Sequence, residues 1–232
     1  LTTLDTAIQL ARMNDEANVQ LEDVARARDG RLYHQSADTH YDQISAFIKS
    51  VRGSDPNAAL YWLVTLLESG ESARFIARRL VILASEDVGL ADPLGLLVAE
   101  SAARAVEFVG LPEARLTLAH ATLTLSLRPK SNSATRALAK ATAAVQSGGL
   151  VDVPAHLRDA SYASAAKLGH GAEYRYAHDY PDAWVDQQYL PDRYVDAAFF
   201  DPSPYGREGP LVEQWRRRTS RSDQDEPPSP VE

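Results

Sequence analysis

Gly and Pro punctuate the middle of this chain at intervals of helical length. The marks fall at Gly53 with Asp55-Pro56, at Gly70, at Gly89 with Asp92-Pro93, at Gly110 with Pro112, at Gly148-Gly149 and at Pro154. An Asp directly before Pro is a helix-start signal, because its carboxylate can accept from free amides while Pro at the first helical position has no amide to satisfy. Gly just past a segment is the matching stop signal. The pieces between the marks carry helical periods. Ile76, Leu80 and Leu83 recur at i, i+4, i+7, and Glu100 with Arg104 is an acid-first i, i+4 pair. The expected architecture is all-α, antiparallel helices joined by short loops. The run Leu123-Thr-Leu-Ser-Leu127 alternates like a strand, but Leu116, Ala119, His120, Leu123 and Leu127 also form a helical stripe behind Pro112. With no partner strand evident nearby, helix is the expectation there.

Composition removes whole classes of function. The 232 residues hold 24 Lys plus Arg against 32 Asp plus Glu, a formal charge of −8, and no Cys. A disulfide framework, a thiolate metal site and a cysteine nucleophile are excluded. The negative balance argues against an overall electrostatic glove for nucleic acid, although a local basic patch is compatible with it. The longest nearly apolar stretches, 58–67 and 116–127, are shorter than the ~20 residues that cross a bilayer, so no membrane partner is expected. The single Met stands at position 13 and the sequence opens on Leu1 inside a helical pattern, so a piece of a longer, cytoplasmic chain is expected.

The ends differ from the middle. Leu4, Ala7, Ile8 and Ala11 form a helical stripe, whereas 169–205 has no helical period and is rich in Tyr, Pro, Asp and Gly. Seven of the ten Tyr lie between Tyr162 and Tyr205, suited to pinning an irregular segment by aromatic packing with their hydroxyls left wet. Beyond Trp215 the run Arg-Arg-Arg-Thr-Ser-Arg-Ser-Asp-Gln-Asp-Glu is too polar to pack and reads as a disordered tail.

Catalytic motifs are missing from the sequence. No phosphate loop, dinucleotide fingerprint, zincin helix or nucleophile elbow occurs. The Ser-x-x-Lys at 164–167 lacks the companion motifs of its enzyme class and reads as one turn of exposed helix. The six His include no pair at i, i+3 or i, i+4, and His120 suits a satisfied core or interface position better than a ligand. Glu86-Asp87 reads as a solvated acidic pair at a helix end. No catalytic, cofactor-binding or metal-binding residue is therefore assigned. Two basic groups could hold phosphates: Lys49 with Arg52, and Arg128 with Lys130 beside the helix that starts after Ser131. The alternative is that Lys49, Arg52 and Arg128 only complement helix C-terminal dipoles.

Several long stretches resemble the replication-associated recombination protein A family of AAA+ ATPases, also called MgsA, which includes the Werner-helicase-interacting ATPase. They are His40 to Leu63 (His-Tyr-Asp-Gln-Ile-Ser-Ala-Phe-Ile-Lys-Ser-Val-Arg-Gly-Ser-Asp-Pro-Asn-Ala-Ala-Leu-Tyr-Trp-Leu), Arg74 to Pro93, Glu107 to Arg115, Pro129 to Ser133, Pro154 to Asp159 and His178 to Pro191. The resemblance implies that ATP and Mg belong to a core preceding Leu1 and that no cofactor binds this part. It implies a remnant of the AAA+ helical lid over 1–35, a clamp-loader-collar-like oligomerisation domain over 36–168, a Tyr/Pro-rich segment over 169–215 and a tail over 216–232. It further implies a homotetramer, and contacts of the full-length protein with DNA at stalled forks and with single-stranded DNA-binding protein. The helix from Phe75 to Val88 is apolar on more than one side and must be covered on both. The expected subunit interface is the surface around Ile76, Leu80, Leu83 and Leu97. A DNA-binding module using Lys49, Arg52, Arg128 and Lys130 is the competing expectation.

Overall fold

The computed structural model describes residues 37–149, 151–159, 161 and 171–220. The expected lid remnant over 1–35, the Ser-x-x-Lys at 164–167 and the tail beyond Ser220 lie outside the described residues. Those residues form two compact units, 37–88 with 94–128, and 89–93 with 129–220.

The first unit is a five-helix bundle: α1 (Ala37–Arg52), α2 (Pro56–Glu68), α3 (Ala73–Leu83), α4 (Leu94–Val109) and α5 (Ala114–Leu127), with a single π-helical turn, Ala84–Val88, extending α3. The start and stop signals work as their chemistry requires. Asp55 caps α2, its Oδ1 accepting from the amides of Asn57 and Ala58 at 3.0 and 2.9 Å, with Pro56 in the first turn. Beyond Glu68 the chain turns left-handed at Gly70 (φ 86°), and the amides of Gly70 and Glu71 donate back to Leu67 and Leu66 at 3.1 and 2.9 Å. That is a Schellman closure, which strains any residue with a Cβ.

Each helix contributes one buried stripe. The core comprises Ile44, Phe47 and Val51 of α1, Ala59, Leu63 and Leu66 of α2, and Ile76, Leu80 and Leu83 of α3. Ala99, Ala102 and Val106 of α4 and Leu118, Ala121 and Leu125 of α5 complete it. α5 packs against each of the other four helices. The alternating Leu-Thr-Leu-Ser-Leu run is helical: a residue surrounded by helices has no strand edge to pair with, and Leu118, Thr122 and Leu125 use the helical period to face inward.

The second unit is built around a short 3₁₀ turn, Gly89–Ala91, on which α6 (Ser133–Gly148) and α7 (Glu208–Thr219) both pack. Between those helices the chain is irregular, with 3₁₀ turns at Ala155–Leu157, Ala177–Asp179, Pro181–Ala183 and Asp192–Tyr194. Polar contacts fasten it to α6: the Tyr194 hydroxyl donates to the Ala144 carbonyl at 2.7 Å, and Arg193 donates to the Gly148 carbonyl at 2.6 Å. Tyrosine hydroxyls are thus used in holding the segment, where the sequence suggested they would stay wet; Gln187 also donates to the Tyr189 hydroxyl.

α6 belongs to the second unit, which the chain enters for good at Pro129 after Arg128. α7 runs through the position where the tail was expected to begin, and Arg216 to Thr219 are helical. The reason is visible at the helix start: the Glu208 side chain is buried and accepts from the Ser203 amide at 2.9 Å, and Val212 one turn on is buried too. An inward anchor of two residues lets a polar sequence propagate as helix.

Candidate assembly surface and basic groups

α5 presents apolar residues on two opposite faces. One face fills the core, and the other carries Leu116, His120, Leu123 and Leu127 at i, i+4, i+7, i+11. Leu116 is 79% and Leu127 72% exposed, and His120 is exposed between them. The outer face of α4 has the same character, with Leu97 57% and Phe108 92% exposed at i, i+11. Polar residues ordinarily occupy such positions on a bundle helix, because an exposed apolar side chain gains nothing from water. Scattered single hydrophobics need no explanation, whereas a leucine stripe along one helix is a candidate docking face.

This corrects the expected interface. Ile76, Leu80 and Leu83 are at most 1% exposed, in the core that α3 shares with α1, α4 and α5, so no second subunit can reach them without opening that core. Of the four residues chosen, only Leu97 lies on the surface. The stripe of Leu116, His120, Leu123 and Leu127 was legible in the sequence; what the sequence did not reveal is that a second stripe, Leu118, Thr122 and Leu125, takes the inward position. Two apolar stripes on one helix was the available signal.

The basic groups part company. Arg52, in the last turn of α1, donates through Nε to Asp87 Oδ1 at 2.6 Å and through Nη2 to Glu86 Oε1 at 3.0 Å. The hydrogen bond to Asp87 is the main reason its guanidinium pKa rises above the ordinary value. Glu86 and Asp87, expected to be merely solvated, lie in the π turn and share this one guanidinium, and Asp87 is buried. Arg52 is therefore a structural tie between α1 and the end of α3. Lys49 is exposed one turn earlier in α1. Arg128 is the half-buried C-cap of α5, in the first unit, while Lys130 is half-buried in the second.

Exposed ion pairs link the bundle's outer surface. Arg74 of α3 makes a two-pronged contact with Glu107 of α4, and Arg115 of α5 reaches Glu68 of α2. The Arg74 guanidinium holds the Glu107 carboxyl below its usual range. Among the described residues, no group of three or more His, Asp or Glu could hold a metal ion, and no helix is long and apolar enough to cross a membrane.

Comparison with known proteins agrees with the sequence resemblance. Residues 53–219 match the family model described as MgsA AAA+ ATPase C terminal, and residues 1–52 match one described as AAA C-terminal domain. An uncharacterized AAA domain-containing protein of Mycobacterium tuberculosis is 50% identical over 210 residues, covering 90% of this chain and 46% of that protein. Replication-associated recombination protein A of Bacillus subtilis is 47% identical over 175 residues, 75% of this chain and 41% of its own length. The Escherichia coli protein of the same name is 36% identical over 220 residues, 92% of this chain and 49% of its own. The chain thus spans just under half the length of these curated relatives. With a family model matched over most of its length, this all-α chain belongs to the MgsA AAA+ ATPase C-terminal family.

Proposed function

We propose that this chain is the assembly part of a replication-associated recombination protein A-like ATPase, joining subunits into a homotetramer while ATP and Mg are handled by a separate AAA+ core. The observation that carries the reading is the second apolar face of α5, Leu116, His120, Leu123 and Leu127, with Leu97 and Phe108 exposed on α4. Burying a leucine completely is worth about 1.5–3 kcal/mol, so the unburied fractions of Leu116 and Leu127 represent roughly 1–2 kcal/mol each. A symmetric contact uses each twice, about 4–8 kcal/mol, so Leu97 and Phe108 of α4 must be covered as well for association at micromolar concentration, which needs about 8 kcal/mol beyond the cost of lost freedom. The parent protein would act in the cytoplasm on DNA at stalled forks, with single-stranded DNA-binding protein as a partner, as the family resemblance implies; the relatives' names support a place in replication and recombination.

Light scattering coupled to size exclusion tests the assembly. The chain at about 10 μM should elute with the mass of four copies, and a Leu116→Asp, Leu127→Asp double variant should shift to a smaller species while keeping its helical circular dichroism. A monomeric mass for the unaltered chain would refute the proposal.

A further inference from the structure

The chain leaves the first unit at Val88 and enters the second at Gly89 with no linker between them. Before that step lies the π turn Ala84–Val88, whose Glu86 and Asp87 share the Arg52 guanidinium. After it lies the 3₁₀ turn Gly89–Ala91, on which α6 and α7 pack. Asp87 and Gly89 are separated by a single residue, so their Cα atoms are no more than about 7.6 Å apart. That residue, Val88, is fully buried.

The 3₁₀ turn has no slack. A Cβ on Gly89 (φ 51°) would lie 2.5 Å from the Ser131 carbonyl oxygen, at the entry to α6, and one on Gly206 would clash with the Ala91 carbonyl oxygen, at the entry to α7. The same Ala91 oxygen accepts from the Arg207 amide at 2.8 Å. Backbone packed this closely on backbone passes a displacement on instead of absorbing it.

The π turn is the yielding element. Its i→i+5 winding is rare and occurs mostly as single turns at functional positions. Here Arg52 holds it. Asp87 is buried, its Oδ1 accepts from Arg52 and its Oδ2 has no hydrogen-bond partner among the described residues, so without the guanidinium the carboxylate reaches water only if the turn moves. Arg52 is also the last residue of the stretch 1–52 that matches the AAA C-terminal domain model, whereas both carboxylates lie in the stretch 53–219. We propose that Arg52 is the coupling residue through which a displacement of α1 reaches the second unit. α1 carries the guanidinium, the guanidinium carries the π turn, and the π turn carries Gly89–Ala91 with α6 and α7. The link is a property of this chain; that the displacement originates in an ATP-handling core ahead of α1 rests on the reading given above.

Amide hydrogen exchange of the whole chain, read by NMR at Arg207, tests the coupling. Arg52→Gln should lower the protection of the Arg207 amide about tenfold or more, and Arg52→Lys, which keeps the charge but loses the fork, should lower it less. Leu63→Ala is the control, because it opens a cavity in the same core from α2, whereas the π turn packs against α3 and α4. It should leave Arg207 protection within about threefold of the parent chain's. Coupling is reciprocal, so Gly206→Ala should in turn speed the exchange of the Arg52 Nε proton with water. Helical circular dichroism checks that each variant is folded, and Leu63→Val replaces the control if Leu63→Ala is not. Unchanged Arg207 protection in both Arg52 variants would overturn the proposal. So would an equal or larger loss in the Leu63 control, which would make the effect one of global unfolding. The solution mass reports on assembly independently of this readout, so the two readings fail separately.

Discussion

Arg52 offers the sharpest separation of a structural from a nucleic-acid role. The Asp87 side chain is 8% exposed, its Oδ1 accepts from Arg52, and its Oδ2 has no hydrogen-bond partner among the described residues. The guanidinium is therefore the main compensation for a carboxylate taken out of water. Removing one partner of a fully buried ion pair costs about 3–5 kcal/mol, because the other charge is left unpaired in low dielectric. The Arg52 side chain is 45% exposed, so water can replace part of what is lost, and the cost should fall to about 1–3 kcal/mol. For a chain of this size each kcal/mol moves the melting temperature by about 2–4 °C, which gives Arg52→Gln a drop of roughly 2–12 °C. Replacing both partners by apolar residues, Arg52→Met with Asp87→Leu, removes the buried charge together with its partner and should cost less than Arg52→Gln alone. Urea unfolding followed by far-ultraviolet circular dichroism measures all three chains, and titration of a labelled oligonucleotide with each, followed by fluorescence anisotropy, should give the parent chain's result unchanged. The reasoning fails if Arg52→Gln is as stable as the parent chain, or if its main effect is on nucleic-acid binding.

Two further outcomes follow from the geometry. The Glu107 carboxyl titrates below its usual range in the folded chain because of Arg74, so the pair's stabilisation is present at neutral pH and lost as pH falls through that lowered value; the melting-temperature gap between the parent chain and Arg74→Gln should narrow and close as the carboxyl becomes protonated in acid, and a gap that does not narrow would assign the effect to lost packing. At Gly206 (φ 57°) an added Cβ would meet the Ala91 carbonyl oxygen at 2.2 Å, next to the hydrogen bond from the Arg207 amide to that same oxygen. Gly206→Ala should cost roughly 2–4 kcal/mol and abolish hydrogen-exchange protection of Arg207, whereas unchanged protection would show that the turn has room to give.

Local chemistry and the resemblance read from His40 onward made much of this protein legible as sequence. Asp55 before Pro56 and Gly70 after α2 act within a few residues of themselves, so their meaning does not depend on the rest of the fold. The period of Ile76, Leu80 and Leu83 likewise identified a helix. Direction was another matter. A period says that residues share a face but not which face meets the core, and α5 carries two apolar faces of similar length. Only packing against four neighbouring helices decided that Leu118 and Leu125 turn inward and Leu116 and Leu127 stay bare. The same holds for charge. Nothing in the sequence joins Arg52 to Asp87, 35 positions apart, and the pairing exists because α1 and the π turn after α3 are brought together by the core they share. The helix through Arg216 to Thr219 depends on two inward residues, Glu208 and Val212, whose burial a polar sequence does not announce. The sequence by itself determined where the helices of the first unit start and stop, because capping and turning are local. The tertiary structure decided which apolar stripe is core and which carboxylates Arg52 meets, because burial belongs to neighbours far away along the chain.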